Sequence, residues 1–412
     1  MNVLLINIRQ LVNVRDKNVL LRGSGMNVLP VLDDAYLAIS AGRIEAYGRM
    51  SSLGQTDFPG YFTIDAGNAT VLPGWCDSHT HLVYAASREN EFVDKIRGLS
   101  YAEIAAKGGG ILQSARTLQQ TPEDVLFETA SVRLAEAVHH GTAAIEIKSG
   151  YGLTTEAEIK MLKVIRRLKE QSPIPVKATF LGAHAYPEAY KQNHQAYINL
   201  ITEEMLPQIA GEGLADFVDV FCEQGFFSVD ETLQICEAAA KYGLIPKIHA
   251  NQLYCSGGVQ AGIQSGALSV DHLESMDVVA IAALAASNTI GTLLPTAAFF
   301  LRMQYPPARQ LINAGAALAL ASDCNPGSSP SSNMNFVVSL ACIQMKMLPE
   351  EAINAATLNG AYAMQLEEEV GSITPGKRAN LIFTRPIPSL AYLPYAFGSD
   401  LIDKVMVNGA FM

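Results

Sequence analysis

The 412 residues carry 40 acidic against 29 basic side chains, a formal net charge of −11, which argues against a nucleic-acid binder because a phosphate backbone repels an acidic surface. With 49% hydrophobic and 17% charged residues the chain can fill a large core, and it is longer than one small domain needs. Its 6 cysteines (Cys76, Cys222, Cys236, Cys255, Cys324 and Cys342) form no Cys-x-x-Cys pair, which argues against a thiolate zinc knuckle and reads as buried free thiols in a reducing compartment. Residues 1–10 lack the features of a secretion signal and no apolar run is long enough for a bilayer, so a cytoplasmic protein is expected.

The first seventy or so residues read as short strands and turns: "NVLLINIRQLV", "AYLAISAGRIEAYGRM" and "YFTIDAGNATVLP" hold alternating or β-branched runs cut by Gly, Asn and Asp. From about Gly74 to Ala363 short apolar strands alternate with amphipathic helices. Eight strands are expected, in "GWCDSHTHLVY", "TAAIEIKSG", "VKATFLGAHA", "FVDVFCE", "IPKIHAN", "ALSVDHLE", "TIGTLLP" and "ALALASD". Helical segments such as "TEAEIKMLKVIRRLKEQ" and "VDETLQICEAAAKYG" lie between most of them. Within this region "RGLSYAEIAAKGGGILQSA" carries Gly108, Gly109 and Gly110 in a row. Three glycines are costly to order, and both a mobile surface loop and an active-site lid stay open. The last forty residues, with "GSITPGKRANLIFTRP" and "LIDKVMVNGAFM", are strand-like again. The expected fold class is α/β: a (β/α)8 TIM-like barrel over 71–363 and a small β-sandwich domain formed by both termini, 1–70 and 364–412. Only the count of eight separates the barrel from an open doubly wound sheet.

Five of the 8 histidines fall at or near the C-terminal ends of these strands, the rim where barrel enzymes build active sites. His79 and His81 are two apart in "WCDSHTHL", so on a strand both imidazoles point the same way and can reach one metal. His-x-His alone is weak, and two polar residues at a strand end are the alternative. His249 in "KIHAN", taken alone, reads as a core histidine with its nitrogens satisfied. Asp323 ends the apolar run in "LALASDCNPG", where an acid is expensive unless paired or metal-bound, or else caps a turn. Together the four make a set of imidazoles and a carboxylate suited to zinc or iron(II). His272, Glu223 and His184 end further strands and would at least hydrogen-bond around the same site.

The whole pattern resembles the amidohydrolase superfamily: "VLPGWCDSHTHL" is similar to its first-strand signature and "GSITPGKRANLIF" to its closing sheet segment. Members with two metals bridge them by a modified lysine on strand four. That strand here ends "FCE" and Lys148 lies on strand two, so one divalent metal per chain is expected, held by His79, His81, His249 and Asp323. More narrowly, "IEIKSGYGL", "TFLGAHA", "DVFCE", "HANQLYCSGG", "SVDHLE" and "SDCNPGSSP" resemble, in order, the imidazolonepropionase family, and "AAKGGGIL" resembles that family's flexible loop. That family usually has Asp where Asn251 stands and Ser where Cys324 stands, departures that flank the key residues without replacing them.

The resemblance implies a hydrolase that opens the ring of 4-imidazolone-5-propanoate to N-formimidoyl-L-glutamate in histidine degradation. It implies Asp323 as the proton carrier, with His272 holding the water or the developing oxyanion. It assigns substrate contacts to Arg88, Tyr151, His184, Gln252, Asn325, Gly327 and Ser328, with Arg88 gripping the propionate tail. Without the resemblance Arg88 reads as a solvated surface residue and the Asn325–Ser328 stretch as a plain turn. The expected partners are a small molecule with a propionate tail and a second copy of the chain, with neither nucleic acid nor membrane. Another cyclic amidohydrolase or an aminohydrolase on the same scaffold is the nearest alternative. A metal-free scaffold protein is the alternative of a different class, and the presence of all four metal candidates argues against it.

Overall fold

The computed structural model describes residues 2–99, 103 and 109–412. Part of the glycine-rich stretch singled out above, Gly108 included, lies outside the described residues.

Eight parallel strands follow one another around a barrel: β6 (Trp75–Asp77), β7 (Thr142–Lys148), β8 (Val176–Ala183), β9 (Phe217–Cys222), β10 (Ile245–Ala250), β11 (Ser269–His272), β12 (Ile290–Leu293) and β13 (Leu318–Leu320). These are the eight runs expected from the sequence. Nearly every residue in them is buried, because helices cover the outside and side chains fill the inside. The barrel closes just beyond the named strands. Thr80 bridges Cys324, His81 N donates to the Cys324 carbonyl at 2.9 Å, and Asp323 N donates to the His79 carbonyl at 3.0 Å.

The helices form where the sequence supplies both a cap and an apolar face. In Thr155–Gln171 the Thr154 hydroxyl caps the Ala157 amide, and Ile159, Leu162, Ile165 and Leu168 are buried at helical spacing. Val229–Ala240 opens on a reciprocal Ser228–Glu231 capping box. Among the described residues, no helix is long and apolar enough to cross a membrane.

The termini build the second unit. Its sheet joins β1 (Val3–Val12), β2 (Val31–Ser40), β3 (Arg43–Arg49), β4 (Phe62–Asp65) and β5 (Thr70–Pro73) to β14 (Leu381–Thr384), β15 (Ile402–Val407) and β16 (Ala410–Phe411). β1 kinks where Asn7 takes φ 54°, so its first half pairs β4 and its second half β5. A single apolar core with Leu5, Ile8, Leu37, Val71, Leu381 and Met406 is enclosed. The chain passes from this sheet to the barrel at Gly74, where a Cβ would lie 2.5 Å from that of Ala143, so any side chain would push the units apart. Near the junction, Lys377 is buried and donates to the Val370 carbonyl at 2.8 Å and Ser372 Oγ at 2.7 Å. Burial pulls its pKa down to about 8.

Candidate metal centre and substrate site

The inward-facing positions of the barrel are polar at its C-terminal end. His79 and His81 leave β6 in extended backbone just past Asp77, so the two rings lie 5.3 Å apart between centroids. His249 sits near the end of β10, its ring 4.5 Å from that of His79. Asp323 follows β13 and sets Oδ1 3.6 Å from His79 Nε2 and 3.5 Å from His81 Nε2. Ligand-capable atoms of His79, His81 and His249 lie within 4.8 Å of one another, as do those of His79, His272 and Asp323. The sequence reading brought His272 to the site but not into this second triple.

Each of two imidazoles is held from behind by an acid. His79 Nδ1 lies 2.6 Å from Asp271 Oδ2. His249 Nδ1 lies 2.9 Å from Asp219 Oδ2, and its backbone amide donates to the same carboxylate. A carboxylate can only accept, so Nδ1 carries the hydrogen and Nε2 is left with a lone pair facing inward. His79 Nε2 is buried without a hydrogen-bond partner among the described residues, and a cation would satisfy it. Burial pushes His79 and His81 well below the ordinary imidazole range, which keeps both neutral and able to ligate. The donor set, three neutral imidazoles and one carboxylate, fits a borderline divalent ion.

Burial raises the Asp323 carboxyl to about 7, against the pull of His272. Burial lowers His272 too, but the Glu274 carboxylate, with Oε1 3.4 Å from Nδ1, leaves it above its ordinary value. The backbone is strained here: Asp323 has φ 51°, His272 φ 87° and Leu273 φ 70°. Left-handed φ at non-glycine residues costs energy and clusters at functional sites.

Of the substrate-side residues, Tyr151 and His184 lie beside the histidines, His184 stacked on His81 at 5.4 Å. His184 Nδ1 donates to the Gly150 carbonyl at 3.0 Å, which leaves Nε2 free to meet a ring, and burial lowers its pKa to about 3. The loop bearing Tyr151 is wrapped around Glu158, whose carboxylate accepts from the amides of Gly150, Gly152 and Leu153 at 2.7–3.0 Å.

Arg88 is largely buried rather than solvated, and its guanidinium lies against Gly327, where a Cβ would fall 2.4 Å from Nη1. It is already paired with Glu91 at 2.5 Å. Glu91 in turn accepts from the Gly110 amide. Asn325 spends its side chain on its own loop: Oδ1 accepts from Gly327 N and Ser328 N, and Nδ2 donates to the Asp323 carbonyl and Ser328 Oγ. Its side chain therefore shapes the turn beside Arg88. Gln252 is half-buried on the loop after β10. Glu223 fastens that loop by accepting from Leu253 N at 2.8 Å and Tyr254 N at 3.3 Å.

The sequence reading missed Asp219, Asp271, Glu274 and Glu158. For Asp219 and Asp271 the available signal was an acid inside an apolar strand run, which must find a partner; Glu158, in the charged helix Thr155–Gln171, carries no such signal.

Residues 70–412 match the amidohydrolase family. Over 410 residues the chain is 53% identical to an imidazolonepropionase of Christiangramia forsetii, and over 412 residues 54% identical to one of Flavobacterium psychrophilum, with 99% of each chain covered in both cases. The chain belongs to the imidazolonepropionase family of amidohydrolases. The fold extends further: an adenosine deaminase from Xanthomonas campestris, solved with bound zinc, superposes with a TM-score of 0.69 at 17% identity, over 99% of this chain and 92% of that one.

Proposed function

We propose that the chain hydrolyses 4-imidazolone-5-propanoate to N-formimidoyl-L-glutamate. The observation that carries this reading is the juxtaposition of the histidine–Asp323 cluster with a buried arginine on the Asn325–Ser328 turn, a hydrolytic centre beside a carboxylate grip. One divalent ion per chain, zinc or iron(II), would be held by His79, His81, His249 and Asp323. Such an ion supplies Lewis acidity and makes water nucleophilic at neutral pH.

The chain's own residues do the rest. Asp323 takes a proton at its carboxylate and returns it to the departing ring nitrogen, a task suited to a carboxylate held 3.5–3.6 Å from the Nε2 atoms of His79 and His81. His272, backed by Glu274, offers Nε2–H to the oxyanion that forms at the attacked carbonyl. Arg88 exchanges Glu91 for the propionate. Gly327 and Ser328 amides border the tail, while Tyr151, His184 Nε2 and the Gln252 amide meet the ring, which carries both N–H and C=O. The barrel, 71–363, carries all of these groups, and the sheet unit, 1–70 and 364–412, buttresses it. A homodimer in the cytoplasm completes the reading.

The test is incubation with freshly made 4-imidazolone-5-propanoate while its ultraviolet absorbance is followed. Decay with formation of N-formimidoyl-L-glutamate is expected, and no decay with metal-loaded protein would overturn the proposal.

A further inference from the structure

Beneath the histidines lies a group of charges that the reaction does not use. Glu146, Lys148, Asp219, Lys247 and Asp271 are all 0% exposed. They lie on β7, β9, β10 and β11, with Lys148 the last residue of β7 and Asp271 directly before His272. Lys148 Nζ lies 2.6 Å from Glu146 Oε1, 2.9 Å from Asp219 Oδ2 and 3.8 Å from Asp271 Oδ2. Those last two oxygens are the ones facing His249 Nδ1 and His79 Nδ1. Lys247 Nζ bonds Glu146 Oε2 at 2.6 Å and the carbonyls of Ser78 and Ala363. Thr179 Oγ1 donates to Glu146 as well. Desolvating five charges is expensive, so an arrangement with no consequence for the site would be replaced cheaply by apolar residues.

We propose that Lys148 is a positioning residue whose single ammonium orients the Asp219 and Asp271 carboxylates, and through them fixes the tautomer and aim of His249 and His79. The geometry allows little else. Lys148 Nζ and His249 Nδ1 share one carboxylate oxygen, so the oxygen's place is set from both sides. Asp271 is braced likewise, by Ser269 Oγ at 2.6 Å on its other oxygen. With the carboxylates fixed, Nδ1–H is the only form that each imidazole can adopt without losing a buried hydrogen bond, and Nε2 stays bare. Strand two thus contributes a lysine that acts through the carboxylates behind the imidazoles rather than as a metal ligand.

The metal arm of this proposal rests on the metal-centre reading, whereas the tautomer arm does not. The experiment compares wild type with Lys148→Met and with the charge-balanced Lys148→Met/Glu146→Gln, which keeps the buried net charge if the single variant fails to fold. Metal-free, 15N-labelled protein is examined for histidine ring shifts, and Co(II) is titrated by its visible absorption. In wild type, His79 and His249 should show protonated Nδ1 and bare Nε2. In the variants both rings should become tautomeric mixtures, and Co(II) affinity should fall about 10- to 100-fold. Wild-type rings protonated at Nε2, or variants with unchanged tautomers and Co(II) affinity within about twofold, would overturn the proposal. If wild type binds no Co(II), the metal-centre reading fails, and the ring shifts alone decide the role of Lys148.

Discussion

Asp323 and His79 are joined twice: the Asp323 amide donates to the His79 carbonyl at 3.0 Å, and the Asp323 carboxylate stands 3.6 Å from His79 Nε2. Backbone pairing sets the first distance and so limits the second. A substitution at 323 can therefore change chemistry without moving the imidazole opposite.

Asp323→Asn is expected to leave the melting temperature nearly unchanged while turnover falls by about 10²–10⁴-fold, the usual contribution of a positioned proton carrier. An amide cannot take the proton, and it ligates more weakly. Retained turnover with metal bound would remove Asp323 from the proton-carrying role.

Arg88→Met should cost about 2–4 kcal/mol in kcat/KM, the loss of a partly desolvated, charge-assisted contact. Metal content should hold, and an analogue lacking the carboxylate should be affected far less. Glu91→Gln, which takes the competing carboxylate from Arg88, should lower KM. Equal losses on both compounds would make Arg88 structural.

Glu158→Gln should act through the Tyr151 loop. The amide keeps one acceptor oxygen but turns an NH2 toward three backbone N–H groups that the carboxylate now receives. A stability loss of about 1–3 kcal/mol is expected, with a several-fold rise in KM and unchanged metal content. Denaturant melts and steady-state kinetics check this, and an unchanged KM would detach Glu158 from the substrate side.

Lys377 predicts a pH dependence away from the site. Its folded pKa of about 8 lies below the ordinary lysine value of 10.5, so the unfolded chain holds this proton more tightly. Its contribution to stability should therefore rise as pH goes from about 8 to 10.5 and level off above, by at most about 3 kcal/mol. Lys377→Met should flatten that slope in denaturant melts across the range, and a slope unchanged by the substitution would assign it elsewhere.

Chelation should abolish turnover, and one equivalent of zinc or iron(II) per chain should restore it. Far-ultraviolet circular dichroism should barely change, since the buried carboxylates hold the histidines from behind without the ion. Two tightly held ions per chain, by elemental analysis, would contradict the single-metal reading.

The eight barrel strands were legible because a parallel strand buried on both faces must be a short apolar run bounded by turn residues. The histidines were legible for the same reason, each standing where such a run ends. What binds His79 to Asp271, or Lys148 to Asp219, is register between strands far apart in the chain, which no local pattern carries. "SVDHLE" shows that Asp271 is buried and needs a partner, but not which. The Arg88–Glu91 pair, three residues apart on one helical turn, was within reach of spacing alone, as was the Asn325 turn. The path of β1, half against β4 and half against β5, depends on one left-handed asparagine that resembles any other turn former.

The seam at Thr80 and Cys324 has a consequence for how the protein is made. The residues on its two sides belong to the first and last strands of the barrel, and each side supplies part of the candidate metal centre. A ribosome that has released everything up to β12 has produced three of the four expected ligands but not the carboxylate, nor the edge against which the first strand closes. Capture of an ion by the complete set must then wait until the barrel is whole, which makes metal uptake a late checkpoint on synthesis rather than a nucleus for it.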